Sequence, residues 1–291
     1  MYIDNNGNFW YKGNLHTHTS RSDGAFAPAD TLKAYKKNEY DFIALTDHWI
    51  ISDTKNEYGI LQLTGCEYDT GSNALDGIYH ILGIGFDKNK IKLKHESPSL
   101  SAQTIVNEIT NAGGMAFLAH PAWSLNSTEQ IKKIKNIHGV EIFNSVADLP
   151  WNVRPYSGVI IDRLAAEGYL LPCIATDDTH FYKNDLCRSF IWVKAIELSR
   201  EAIMDAIKKG DFIASQAPFF SVERNGDTIE VFSTPVSSII FFSDTVYTPD
   251  RINIGENLTY AKYKIKTSDT FIRIELTDAA GKTAWSSPVK A

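Results

Sequence analysis

From residue 13 to about residue 215, short apolar runs alternate with helical patterns, and many of the runs end on a histidine or a carboxylate. Strand and helix patterns that alternate in this way predict parallel β/α architecture. Strands are expected at Gly13–His18, Asp41–Thr46, Ile60–Cys66, Ile78–Phe86, Met115–Ala119, Gly139–Phe143, Tyr169–Ala175 and Phe190–Lys194. Pro28 suits the first turn of a helix that reaches about Asn38. Further helices are expected from Leu100 to Ala112 with Gly113 beyond the end, at Thr128–Lys135 with Ser127 or Thr128 as cap, at about Arg154–Glu167 before Gly168, and at Ser199–Lys209.

After Ala217-Pro218 the texture changes. Phe219–Arg224 and Thr228–Ser233 flank Asn225-Gly226, a hairpin signal of type I′. Ser238–Ser243, Tyr260–Lys266, Phe271–Thr277 and Lys282–Ser286 carry alternating, β-branched or aromatic residues. The expected organisation is a β/α domain over residues 1–217 and a small antiparallel β domain, sandwich-like, over 218–291.

Composition excludes several classes. No stretch approaches the roughly 20 apolar residues of a membrane span, and the first residues have neither the basic region nor the apolar core of a leader. Three cysteines, Cys66, Cys173 and Cys187, fit neither a disulfide framework nor a thiolate zinc spacing, which points to a reducing cytoplasm. The net charge of −6 comes without a basic block, so no nucleic-acid partner is expected.

The chemistry gathers at the strand ends. A strand points i and i+2 to one face, so His16-Thr-His18 aims two imidazoles at one point, and Asp178-Thr-His180 repeats the pattern. Asp23, Asp47-His48, Glu67 and His120 lie at or just after further strand ends, and His80 sits at the start or middle of its own strand. Singly each has an ordinary reading: an incidental His-x-His alternation, a loop Asp-His pair, a solvated strand-end Glu67, a packed His80, a His120-Pro121 strand stop. Together they place six of the eight histidines at positions that converge in a β/α barrel. His95 and His138 fall outside the set.

In order and spacing, Asn-Leu-His16-Thr-His18 with Asp23, Thr-Asp47-His48, Glu67, His80-Ile-Leu-Gly, Ala-His120-Pro and Thr-Asp177-Asp178-Thr-His180 resemble the PHP (polymerase and histidinol phosphatase) superfamily of metal-dependent phosphoesterases, over residues 10 to about 215. The resemblance implies a distorted seven-stranded β/α (TIM-like) barrel holding up to three divalent ions. By motif, His16, His18 and Asp178 hold one ion, Glu67 bridges it to another that His80 and His120 complete, and Asp23, His48 and His180 hold the third. Asp23 stands where some relatives have histidine. A small appended β domain is similar to the branch that includes aryl-carbamate hydrolases.

Imidazole and carboxylate donors without thiolate suit zinc, manganese or iron. Three carboxylates against three such ions leave an excess of about +3, a field that lowers the pKa of a bound water and so yields a hydroxide nucleophile. Asp47 and Asp177 are expected to orient ligands rather than bind ions. Arg188 or Arg21 is placed to clamp an anion, with Lys183, Asn144 and Trp151 in nearby strand-end loops. The expected function is hydrolysis of a small phosphate ester, a phosphomonoester or phosphodiester, in the cytoplasm. Two alternatives stay open: hydrolysis of a carbonyl ester, amide or carbamate with the same ions, and a non-catalytic metal-binding or regulatory module. Oligomeric state is not legible in the sequence.

Overall fold

Apolar strands buried on both faces build the centre of the molecule, and amphipathic helices cover them. The computed structural model describes residues 1–93 and 100–291, and His95 lies outside the described residues. Ile105, Val106 and Ile109 bury one face of the helix Ala102–Asn111, whose first turn is capped by Ser101 accepting from the Thr104 N–H. Ser127 and Gln130 form a reciprocal capping box at Thr128–Lys133. Ser199 caps Arg200–Lys209, which ends on Gly210 at φ 80°, a left-handed turn that favours glycine. The helix expected from Arg154 begins instead at Gly158.

The strands form two sheets. One runs in the order Cys173–Thr176, Gly139–Asn144, Met115–Leu118, Tyr79–Ile84, Gly65–Thr70. The other contains Ile60–Leu63, Phe42–Ala44, Phe9–Asn14, Phe190–Lys194 and Phe212–Ser215, and continues through Thr283–Trp285 into Phe271–Thr277, Thr228–Phe242 and Phe220–Asn225. The fold is therefore mixed α/β with large sheets and few helices. Ladder hydrogen bonds do not close a single ring: the sheets meet at isolated pairings, Thr17 with Thr179 and His48 with Glu67, both parallel, and Ser52 with Gly65.

Purely parallel pairing, the expectation from alternation, holds only in part. Tyr79–Ile84 runs antiparallel to both Gly65–Thr70 and Met115–Leu118. The connection before it, residues 71–78, is shorter than the dozen or so residues that a parallel crossover needs. The reversal explains His80: the first residues of an antiparallel strand lie at the same sheet edge as the last residues of its parallel neighbours. The run read as one strand at Ile60–Cys66 is two, Ile60–Leu63 and Gly65–Thr70, one in each sheet. At Gly65 a Cβ would meet the Leu45 carbonyl oxygen at 2.6 Å, so the chain can cross between sheets there only without a side chain.

Beyond residue 217 the hairpin is present with its turn one residue later than expected: Asn225 pairs with Thr228, leaving Gly226 and Asp227 at the tip. The two strands read at Thr228–Ser233 and Ser238–Ser243 are one 15-residue strand whose register shifts around Pro235. Phe212–Ser215, not foreseen as a strand, joins this region to the first by pairing with Thr283–Trp285.

Arg273 is the main polar tie across that junction. Its side chain is fully buried, with Nε and Nη2 donating to Asp162 at 2.7 and 2.9 Å, Nη1 to Glu275 at 3.1 Å, and the guanidinium over the Phe242 ring at 4.5 Å. Breaking a buried pair leaves an uncompensated charge. Asp162→Ala is therefore expected to lower unfolding free energy by about 3 kcal/mol or more, read by denaturant titration. A change within about 0.5 kcal/mol would show that Glu275 alone satisfies the guanidinium.

Candidate metal centre

Six imidazoles and three carboxylates converge where the two sheets meet. His16 and His18 continue the line of Phe9–Asn14, and His48 that of Phe42–Ala44. Glu67 lies within Gly65–Thr70 and His80 within Tyr79–Ile84; His120 follows Met115–Leu118, and Asp178 and His180 follow Cys173–Thr176. Backbone bonds between these ends fix them together: His18 N to Thr179 O at 3.0 Å, Asp178 N to His16 O at 2.9 Å, Trp49 N to Glu67 O at 2.8 Å. Asp23 arrives on a loop turned back at Gly24, whose Cα lies so near the His18 carbonyl that a Cβ would sit 2.4 Å from its oxygen.

Four donor atoms make the tightest group. His16 Nε2 and His18 Nε2 are 3.1 Å apart. Glu67 Oε2 is 3.2 and 3.0 Å from them, and Asp178 Oδ1 is 3.1 Å from each. Asp178 Oδ1 is buried and, despite those distances, its angles make no hydrogen bond. The four atoms lie close enough together to share one ion. A tetrahedral ion bound at about 2.0–2.1 Å separates its ligand atoms by about 3.3 Å, so this donor set fits a divalent cation.

The other oxygen of Glu67 faces elsewhere. Oε1 is 2.9 Å from His80 Nδ1 and 3.7 Å from His120 Nε2. On the opposite side Asp23 lies 3.3 Å from His18 Nδ1, 3.4 Å from His180 Nε2 and 3.7 Å from His48 Nε2. Three donor groups of metal-binding size result: His16, His18, Glu67 and Asp178; His18, Asp23, His48 and His180; His48, Glu67 and His80. His120 stands just outside the third.

Charge in the cluster is mutually held. Burial opposes a proton on His16, but Asp178, Glu67 and Glu141 outweigh it and raise its pKa to about 10. His18, against the same burial, is raised well above the ordinary value, and His80 and His180 are raised too. Burial equally opposes ionised Glu67 and Asp178, yet the surrounding imidazoles keep both carboxyls below the usual range. Without an ion, protons take its place.

His16, His48, His120 and His180 each have a polar neighbour at Nδ1 outside the donor set or on the backbone. Glu141, fully buried in Gly139–Asn144, meets His16 Nδ1 at 2.7 Å and also accepts from Thr176 Oγ1, the His120 N–H and Asn144 Nδ2. Asp69 lies 3.3 Å from His48 Nδ1, Ser124 Oγ 3.1 Å from His120 Nδ1, and the Asp178 carbonyl 2.7 Å from His180 Nδ1. Glu141 is among the residues around the cluster that the sequence reading did not single out. Its signal was there: a lone carboxylate inside the apolar run Gly-Val-Glu-Ile-Phe has to find a partner.

Asp47 and Asp177 touch no ligand ring. Asp47 accepts from the Thr19 N–H at 2.7 Å and from Ser22 Oγ at 2.9 Å, holding the loop after His18. Asp177 accepts from Tyr35 OH and from the N–H groups of Cys187, Arg188 and Ser189, and burial pushes its carboxyl up to about 6. Both act on backbone rather than on imidazole, because the chain turns away from the donor cluster at these residues. The two arginines named as anion clamps are engaged elsewhere. Arg21 donates to Ser52 Oγ and the Ile51 carbonyl, and Arg188 pairs with Asp148 and donates to the Asn184 carbonyl. His138 Nε2 donates to the Ile207 carbonyl at 3.2 Å, away from the centre.

A cavity of about 250 Å³ opens onto the donors, lined by Asp23, His48, Glu67, His80, His120, Asp178 and His180 and also by Trp123, Asn144, Val146, Ala147, Asn152 and Phe181. Neither arginine, nor Lys183 or Trp151, is in that lining; Trp151 stands edge-on to Phe181 at 5.9 Å. A larger cleft of about 490 Å³ beside Arg200–Lys209 contains none of the nine donors.

No protein-family model and no curated protein matches the chain. Among solved structures, it is similar to a two-domain protein from Bacteroides vulgatus described as containing a predicted PHP-like metal-dependent phosphoesterase, with TM-score 0.57 and 19% identity over all of this chain and 97% of that one. The two share a fold. A protein from Bifidobacterium adolescentis provisionally named a metal-dependent phosphoesterase matches over 59% of this chain and 91% of its own (TM-score 0.46, 16% identity). An amidohydrolase from Chromobacterium violaceum, solved with bound sulfate and no metal, matches over 60% and 89% (TM-score 0.43, 18% identity).

Glu141→Gln keeps the shape but removes the charge behind His16, so zinc affinity measured by chelator competition is expected to fall about 10–100-fold. An unchanged affinity would show that Glu141 only fills space. The raised imidazole values predict a second result. Since His16 titrates near 10 in the fold and near 6.5 unfolded, its proton stabilises the metal-free fold fully below about pH 6.5, and that contribution is lost as pH rises through about 10. Loading zinc at pH 7 should therefore release protons, detectable with an indicator dye in weak buffer. No release would mean that the empty cluster is already deprotonated.

Proposed function

We propose that this chain is a metal-dependent hydrolase of a small phosphate ester, working with up to three divalent ions drawn from zinc, manganese and iron. The observation that carries the proposal is Glu67, whose two oxygens face two different donor groups, His16 with His18 on one side and His80 with His120 on the other. A carboxylate so placed suits a bridge between ions. His16, His18, Glu67 and Asp178 would hold one ion; Asp23, His48 and His180 a second; and Glu67, His80 and His120 the third.

Bound there, divalent ions lower the pKa of water toward neutrality and offset charge on phosphoryl oxygens. The protein's own part is to fix the donors before substrate arrives. Glu141, Asp69 and Ser124 hold His16, His48 and His120, while Asp47 and Asp177 hold the loops that carry the neighbouring ligands. Hydrolysis adds the oxygen of water to phosphorus and breaks the ester P–O bond, and the alcohol leaves with a proton. We also read the seven strands whose ends meet at the two parallel bridges as a distorted barrel, with residues 218–291 appended to it.

A second reading rests on the cavity lining, which among the described residues contains no Lys or Arg. A neutral carbonyl ester, amide or carbamate needs no such cation. Charge favours phosphate: ions facing three carboxylates leave a positive excess that matches a dianion better than a neutral carbonyl.

The test compares kcat/KM for an aryl phosphate and the matching aryl carbamate on metal-loaded protein, with elemental analysis of the same sample. Phosphate turnover, competitive inhibition by inorganic phosphate and more than one ion per chain are expected, with Glu67→Gln losing more than one ion. Carbamate turnover faster by orders of magnitude would replace phosphate with the second reading. At most one ion per chain in excess metal would end the multi-ion account.

A further inference from the structure

Apart from the metal donors, the described lining of the cavity offers little free polar valence. Asn144 donates Nδ2 to Glu141 and Asp178, and its Oδ1 accepts from the Ala147 N–H. Asn152 donates to the Val146 carbonyl at 2.9 Å and accepts from Trp123 Nε1 at 3.4 Å. Most of the hydrogen-bonding capacity of those three side chains is thus taken up by the protein itself, an Asn152 N–H apart. What they leave for a ligand is the Trp123 indole face, Val146, Ala147 and the Phe181 ring. Trp123 and Phe181 are 39% and 49% exposed, ready to be covered. Trp151, 66% exposed and edge-on to Phe181, extends the aromatic surface outward.

From this lining we infer the substrate class: one phosphoryl group esterified to a flat aromatic alcohol. The inference rests on the phosphoesterase reading above and narrows it. Charge on the substrate has partners at the metal donors, and the rest of the described lining supplies no Lys or Arg, so a second phosphate, a carboxylate or a set of sugar hydroxyls would be desolvated with little compensation. An aromatic ring loses no hydrogen bonds there and gains apolar burial and edge or face contact with Trp123 and Phe181. The volume agrees. About 250 Å³ falls below the roughly 300–1,000 Å³ of sites for drug-sized ligands and suits a single ring.

Calorimetric titration of zinc-loaded protein with phenylphosphonate, methylphosphonate and 3-phosphonopropanoate tests this without depending on turnover. Phenylphosphonate should bind about tenfold tighter than methylphosphonate, and 3-phosphonopropanoate no tighter than methylphosphonate. Trp123→Ala and Phe181→Ala, each checked for metal content, should cut the phenyl-to-methyl ratio at least about threefold. Equal affinities for the phenyl and methyl compounds, an unchanged ratio in both loaded variants, or tightest binding of the phosphonopropanoate would overturn the aromatic assignment and leave the phosphoesterase reading in place. Failure of every phosphonate to bind would overturn both.

Discussion

Glu67 is the residue on which the rest of the centre depends. A carboxylate that is 1% exposed is costly to ionise unless cations or strong donors surround it. Here His16 and His18 from one strand end, and His80 and His120 from two others, all approach it. The same backbone residue completes a bridge to His48 that joins the two sheets. Ligand geometry and sheet geometry are therefore one constraint. Displacing Glu67 would disturb both the charge balance of the imidazoles and the seam between the sheets.

The surrounding carboxylates divide the work by what they hold. Asp47 and Asp177 are fully buried and bind backbone N–H groups, so they shape the loops after His18 and after His180. Glu141 and Asp69 face imidazoles and set their rings. His120 and Asp178 adopt φ values of 29° and 53°, a region that costs energy for residues other than glycine and persists only when neighbours enforce it. For Asp178 the enforcement is visible in the bond from its N–H to the His16 carbonyl. The rest of the described cavity lining, Trp123, Asn144, Val146, Ala147, Asn152 and Phe181, carries no charge.

Much of this was legible in the residues. His-x-His and Asp-x-His spacing on strand ends announces convergence, and all nine donors named from motif order meet at one place. The cap at Ser127, one of two candidates named for its helix, is found, and Ser101 and Ser199 cap two others that the sequence reading placed without naming a cap. Strand direction was not legible, because an apolar run buried on both faces looks the same whichever way it runs; Tyr79–Ile84 reversed for want of connection length. Nor was the destination of a charge. Arg21 and Arg188 sit in loops near the centre in sequence, but their partners Ser52 and Asp148 are fixed only by tertiary packing. Glu141 is the converse case, a buried charge whose need for a partner was written in its apolar neighbours.

The central claim is that the four closely spaced donor atoms of His16, His18, Glu67 and Asp178 surround an ion. Anomalous diffraction from crystals grown with zinc, collected on both sides of the zinc absorption edge, tests it directly. The account predicts a peak within about 2.0–2.2 Å of His16 Nε2, His18 Nε2 and one oxygen each of Glu67 and Asp178. Zinc found only at other surface positions, with those four atoms still 3.0–3.2 Å apart around an empty centre, would contradict it.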